Sequence, residues 1–421
     1  MNDCLKEKFP DGTPIGEWFY DYSVPTVAEL GKPYVLTDYG VLSDGKVYTQ
    51  KIQNLIDEVS KNGGGVIVVP KGVYYSGALF FKQGVNLYIE EDGVLKGSDD
   101  VSDYPIRNTR IEGESCKYLP ALINVDGVNG FKMCGKGTID GNGLRSWKAF
   151  WKRREWNEKC TNKDEQRARL VFVSNCKNTL IAGLTLQNSQ FWTTHFYKCS
   201  QVKVLGCTIL SPTEPVLAPS TDAIDIDACQ DVLVKNCYMA VNDDGVVLKG
   251  GKGPWADQSE DNGANERILV EDCNYGFCHS AITCGSESIH DKNVLVRRLN
   301  LNKTWQLVHL KLRPDTPQNY EYITISGAVG EITGSFINVN PWTQFFDLKG
   351  REDKPISKVS KITVENCNCT CESFFNVSKS EDYILSDFTL KNLDIKTKTE
   401  YNGYFAVNNL VTENLKVELV K

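Results

Sequence analysis

The chain has 421 residues, of which 41% are hydrophobic and 24% charged, with 34 Gly and 15 Pro; this composition excludes disordered, collagen-like and low-complexity classes. The formal net charge of −7 disfavours nucleic acid or an anionic membrane as a general partner, since either needs an electropositive face. No run of 18 apolar residues occurs and the start, MNDCLKEKFPDG, lacks the basic-then-apolar layout of a secretion signal, so the sequence as written reads as cytoplasmic, or as exported if a signal peptide had been removed.

Residues 1–35 are rich in Pro and aromatics, show no period, and read as an irregular N-terminal arm before one continuous body over 36–421. Within 48–62 the apolar residues Ile52, Leu55, Ile56 and Val59 fall at i, i+3, i+4 and i+7, which predicts an amphipathic helix. Gly63-Gly64-Gly65 ends it. Short β-branched runs follow at 66–69, 86–89 and 93–95, separated by Gly, Asp and Asn, and no second helix is predicted. Between Gly143 and Arg169 lies a basic, aromatic insertion with Trp147, Trp151, Trp156, Lys152, Arg153 and Arg154. It reads either as a lid or as a surface excursion.

Aligned against itself, the chain repeats a unit in which an apolar residue is followed three places later by Cys, Leu or Ala. The copies begin at Ile181, Val204, Val234, Val270, Val296, Ile325, Val364, Leu390 and Thr412, with gaps of 23, 30, 36, 26, 29, 39, 26 and 22. Strands recurring every ~20–30 residues without helices between them are the mark of a solenoid, whose turns bury their apolar faces only by stacking. The predicted fold is all-β: a single-domain right-handed parallel β-helix with an N-terminal capping helix that shields the open strand edges. The gaps of 36 and 39 are read as insertions on one face. Cys207, Cys237, Cys273 and Cys367 share one repeat position and are expected to form an internal ladder. The 15 Cys include no CxxC pair, which fits reduced thiols; Cys367, Cys369 and Cys371 alternate and are expected to pack inside a strand rather than bind metal.

A second alignment bears on chemistry. The segments starting at Asp222 (DAIDI), Asp244 (DGVVLKG) and His279 (HSAITCG) superpose without gaps, which predicts a polar column of Asp222, Asp244 and His279 on rungs ~4.8 Å apart, with Asp243 beside it. Three carboxylates in one site repel, raising at least one pKa and setting an acid beside a base. Glycosidic bond cleavage needs that pairing. A single Asp in such a turn is better explained by local backbone hydrogen bonding, but two of the four His, His279 and His309, fall in the same band as Lys311. His290 has no partner in the pattern and is expected to be an exposed turn residue.

From about residue 35 to 325 the chain resembles glycoside hydrolase family 28, the polygalacturonase-like pectin hydrolases. The resemblance rests on Thr37-Asp38-Tyr39-Gly40-Val41, residues 63–70 (GGGVIVVP), 137–143 (GTIDGNG) and 188–195 (NSQFWTTH), together with four polar elements. Ser220-Thr221-Asp222 is similar to the family's Asn-Thr-Asp, Asp243-Asp244 to its Asp-Asp, Cys278-His279-Ser280 to its Gly-His-Gly, and His309-Leu310-Lys311 to its Arg-Ile-Lys. The resemblance implies an inverting hydrolase of pectic oligosaccharides, of galacturonan or rhamnogalacturonan type, working without a cofactor or metal. It implies Asp243 as general acid, Asp222 and Asp244 as the residues that hold and deprotonate water, His279 as support for the acid, and Lys311 as a grip on a uronate carboxylate. Lys249 and Trp192, inside the matching segments, join His309, Lys311 and Arg313 as candidate substrate-binding residues. His309 stands where the family has Arg, and a neutral imidazole cannot hold a carboxylate with two prongs as guanidinium does. Either Arg313 restores the charge, or that subsite holds a neutral sugar such as rhamnose. Carboxylates on adjacent rungs would by spacing alone favour retention, whereas the resemblance implies inversion.

Insertions at 211–220, 250–265 and 143–169 adjoin these motifs, and Gly285-Ser286-Glu287 is similar to exo-acting members of the family. Together they predict trimming of chain ends. Two alternatives compete: a β-helical lyase, which needs a cation such as Ca2+ and a basic residue, and a catalytically silent carbohydrate-binding β-helix.

Overall fold

The computed structural model describes residues 7–400 and 403–420; the first six residues of the predicted N-terminal arm lie outside it. The chain winds as a right-handed parallel β-helix. One face is a ten-stranded parallel sheet running in chain order from Leu79–Phe81 to Ser373–Val377. No helix among the described residues is long and apolar enough to cross a membrane.

The nine repeat positions stack on successive turns: Ile181 on Val204, Val204 on Val234, and onward through Val270, Val296, Ile325, Val364 and Leu390 to Thr412. The column extends back through Met133, Leu87 and Ile67 to Tyr34, so the strand Pro33–Val35 already belongs to the sheet. Three places along, Cys207, Cys237 and Cys273 stack directly. Leu299 and Ala328 separate them from Cys367 in the same column. A second cysteine ladder, Cys176, Cys199 and Cys229, fills another corner. All these thiols are buried and none of the described cysteines forms a disulfide.

Stacking requires every turn to bend at the same place. One corner carries Gly135, Gly183, Gly206, Asn236, Asp272, Arg298, Gly327, Asn366, Asn392 and Asn414, all at positive φ. Gly, Asn and Asp dominate because they tolerate the left-handed conformation best. The predicted helix is Thr49–Lys61; Ile52, Leu55, Ile56 and Val59 are buried against Gly65–Val69 and Leu79–Phe81 at the open end of the stack.

Two expectations are corrected. The insertion after Gly143 contains a second 13-residue helix, Leu144–Trp156. Its apolar residues Trp147 and Phe150 are buried beside the polar Ser146, a narrow stripe among many Lys and Arg, so the helical period was obscured. His290 is no turn residue: it starts the strand His290–Arg297 and its Nε2 lies 3.0 Å from Glu321 Oε1 on the next turn. Pairing across turns is invisible to a pattern read along the chain.

Candidate active site

Strands Ile224–Asp227, Val246–Lys249, Ile282–Cys284 and Val308–Leu312 of the ten-stranded sheet lie side by side. Their inward residues, Ile224 and Ile226, Val246 and Leu248, Ile282 and Cys284, Val308 and Leu310, fill the core. The intervening residues face outward, and the turns preceding the strands carry the acids. This packing sets the register and corrects one sequence alignment. Asp222 does stack on Asp244, through Ala223 N to Asp244 O at 2.9 Å. Val246, however, pairs with Ile282, so Ser280 rather than His279 continues the column. His279 lies beside Asp243, its backbone N–H donating to Asp243 O at 2.8 Å. The ungapped alignment is one residue out because it matched first polar residues, whereas the fold matches the inward Ile282 and Cys284 to Val246 and Leu248.

The shift builds two distinct partnerships. Asp244 is buried and accepts hydrogen bonds from Lys311 Nζ at 2.6 Å and Ser280 Oγ at 2.9 Å. Burial pushes its carboxyl up, but the charge of Lys311 and the Lys311 hydrogen bond, with the charge of His279 behind them, outweigh that and hold it below the usual carboxylate range. Asp243 keeps a quarter of its side chain in solvent and pairs with His279 Nδ1 at 3.3 Å. Burial disfavours the His279 cation, yet the hydrogen bond and charge of Asp243 leave its pKa raised.

Asp222 is buried, with Lys249 Nζ 3.7 Å away. Burial first, then the charges of Asp243 and Asp225, push its pKa well above the ordinary value. Lys249 also approaches Asp225 at 3.5 Å and Glu287 at 3.4 Å, with its ammonium 4.5 Å from the centre of the Trp192 ring. Asp225, buried beneath, is raised to about 8 by desolvation despite Lys249. Glu287 goes the other way, to about 2, because Lys249, Lys252 and Arg313 overcome its burial. Asp222, Asp243 and Asp244 each offer an oxygen within 4.8 Å of the others. Such a trio could share a cation; here Lys311, Lys249 and His279 lie against it and offset part of its charge.

The acids open into a pocket of about 330 Å³. Each of the three predicted insertions contributes to its lining: Phe150, Trp151, Arg154 and Asn162 from the first, Leu217 and Ser220 from the second, and Lys252 from the third. Trp147 is buried and donates to Ser189 O, while Trp156 is 84% exposed and stands apart. Trp192, Lys249, Lys311 and Arg313 line the pocket. Arg313, however, is locked in a two-pronged pair with Asp315 at 2.8 and 2.7 Å, so its charge is already matched. His309 does not line the pocket; it is buried edge-on to Trp342, with Nε2 lacking a hydrogen-bond partner. Burial and Lys311 lower its pKa to about 3, leaving it neutral.

The sequence reading missed the hairpin Arg107–Ile111 and Glu114–Tyr118, whose tip Glu112 lines the pocket. Glu112 and Gly113 both take positive φ, 50° and 74°, a two-residue turn in which Glu-Gly replaces the more recognisable Asn-Gly or Asp-Gly. Arg110 anchors the hairpin on the sheet through a buried pair with Asp227 at 3.1 Å, and Asn162 donates to Glu112 at 2.7 Å. Trp342 was missed as well; it lies in the gap of 39 residues, where the length signalled an insertion but not its role.

A model of Glycosyl hydrolases family 28 matches residues 67–326. The chain belongs to this family. A Vitis vinifera protein named probable polygalacturonase is 28% identical over 226 residues, 51% of this chain and 44% of that protein. A Dickeya chrysanthemi exo-poly-alpha-D-galacturonosidase is 25% identical over 334 residues, 68% of this chain and 52% of that protein. The chain thus spans about half the length of the curated relatives it matches. The crystal structure of a hyperthermoactive exopolygalacturonase from Thermotoga maritima superposes with a TM-score of 0.74 at 21% identity, covering 96% of this chain and 95% of that one, which establishes the shared fold.

Proposed function

We propose that this chain is an inverting glycoside hydrolase that removes the terminal unit of pectic oligosaccharides. The observation that carries the reading is the trio Asp222, Asp243 and Asp244, converging within 4.8 Å at the base of a walled pocket. Asp243, the most exposed of the three and braced by His279, gives its proton to the leaving oxygen. Asp244, kept ionised by Lys311, and Asp222 hold the attacking water. Repulsion within the trio retains a proton, and in the free site burial favours Asp222 as its carrier; one water between carboxylates this close moves it to Asp243 and frees Asp222 as base. Each of the acid and base roles is worth about 100-fold or more. Sharing one water between two carboxylates, with a third as acid, reconciles close spacing with inversion.

End-trimming is supported by the hairpin tip, the insertion helix and the loops at 211–220 and 250–265, which together enclose a space that a bare β-helix cleft would leave open. The names of relatives such as the Dickeya chrysanthemi and Thermotoga maritima proteins point the same way. The described cysteines, nearly all buried and none in a disulfide, favour a reducing compartment and short oligosaccharides as substrate. The test is a time course on a long pectic polymer: one small product should accumulate from the start, and rapid viscosity loss with a ladder of mid-sized products would overturn end-trimming.

A further inference from the structure

We infer that the sugar released as the leaving group carries no ionised carboxylate, while the unit retained in the pocket is the charged one. The inference rests on the role proposed for Asp243, because the leaving oxygen sits where that acid delivers its proton. Around Asp243 the surface is aromatic. Its partner His279 is flanked edge-on by Phe277, with ring centres 5.9 Å apart, and by Trp305 at 5.6 Å. Both rings are nearly half exposed, at 42% and 46%. Trp342 adds a third ring, close to Asp244 because Lys311 reaches both: its ammonium is 2.6 Å from Asp244 and 4.9 Å from the centre of the Trp342 ring.

Among the described residues on this side no cation is left to hold a carboxylate, His279 being paired with Asp243. Lys311 is committed to Asp244, Arg313 to Asp315, and His309 is a neutral, buried imidazole under Trp342. An incoming carboxylate would lie near Asp243 and Asp244 and meet repulsion without compensation. Exposed rings instead suit the apolar face of a neutral pyranose, whose C–H groups pack on an aromatic surface without an ionic partner. The opposite arrangement holds along the walls that the insertions contribute to the pocket. Arg154 and Lys252 line it and form no ion pair among the described residues. Lys252 adjoins the hairpin turn at Gly113, and Arg154 lies over Phe150 of the insertion helix, so two cations without an ion pair, against the single acid Glu112 at the hairpin tip, stand at the walls that enclose the terminal unit. The site therefore reads as selective for a charged terminal uronate joined to a neutral sugar. Two chemistries meet that description, a deoxy sugar such as rhamnose and a methyl-esterified galacturonate.

The experiment compares kcat/KM for galacturonate linked to galacturonate, to its methyl ester and to rhamnose. At least one neutral leaving sugar should exceed the charged one by about 10-fold or more, and which of the two does so identifies the source. Trp305→Ala, an exposed change, should raise KM for the preferred neutral substrate several-fold and alter the charged one little. His309→Arg should narrow or reverse the preference. Equal or better turnover of the charged leaving sugar, unchanged by Trp305→Ala, overturns the inference and leaves the hydrolase reading intact. Cleavage of none of the three overturns both.

Discussion

The turns between Trp192 and Lys311 and the turns after Ser357 share one architecture and use it oppositely. In the last turns the long strands Ser357–Cys371, Tyr383–Thr397 and Val407–Leu419 stack like on like: Asn366, Asn392 and Asn414 pass amide hydrogen bonds along a ladder, and Lys391 meets Glu413 at 3.2 Å. Amides and opposite charges gain from repetition. In the catalytic turns the same stacking sets Asp222 on Asp244 and brings Asp243 to their side, where repetition is repulsive. Lys249, Lys311 and His279 restore balance only in part, so protonation in this band depends on small changes of environment. A solenoid stores stability in its ladders and reactivity where the ladder is made of like charges.

The sharpest way to break this contrast is to remove a balancing charge from each region. Lys311→Met leaves Asp244 buried and unpaired and should destabilise the protein by ~3–5 kcal/mol, read from denaturant unfolding; a shift near zero would mean that the carboxylate cluster is not under the tension described. Next in size, Asp243→Asn and Asp244→Asn should keep native circular dichroism yet lose at least about 100-fold in kcat. Near-wild-type turnover by either would remove the proposed roles.

His279→Ala should cost less than either, because the imidazole supports the acid rather than replacing it. Its raised pKa also fixes a pH signature. The ionised pair with Asp243 is present below the folded pKa of His279 and is lost as pH rises through it, so its stability contribution is complete below the ordinary His value of ~6.5 and disappears on the alkaline side. The alkaline limb of the wild-type rate profile should therefore lie above the ordinary His range and change in the variant. If the two profiles coincide, His279 is not coupled to the acid. The smallest expected effect lies in the C-terminal turns. Lys391→Ala removes a solvent-exposed pair and should cost less than about 1 kcal/mol, diminishing further with added salt.

The inward column was legible because aliphatic and cysteine side chains repeat at one place in each turn, and spacing alone sets their register over the whole body. The acids were legible for the same reason, lying just before those strands. What escaped depended on contacts between distant turns. The offset of His279 is decided by which of Ala281 and Ile282 points inward, and both are apolar. The hairpin hides behind an unremarkable Glu-Gly turn, and His290 finds Glu321 only once the coil has closed. That Arg313 is consumed by Asp315, two residues away, and that His309 is buried under Trp342 follow from side-chain packing rather than from sequence position.

The central claim is that three carboxylates too close for ordinary inversion nonetheless invert, two of them holding one water while the third acts as acid. Proton NMR of the first product released by wild-type enzyme from a defined pectic oligosaccharide, recorded before mutarotation, tests it directly. The account predicts a hydrated product whose new anomeric centre is opposite in configuration to the bond cut. A product retaining that configuration, or an unsaturated product absorbing in the ultraviolet, would contradict it.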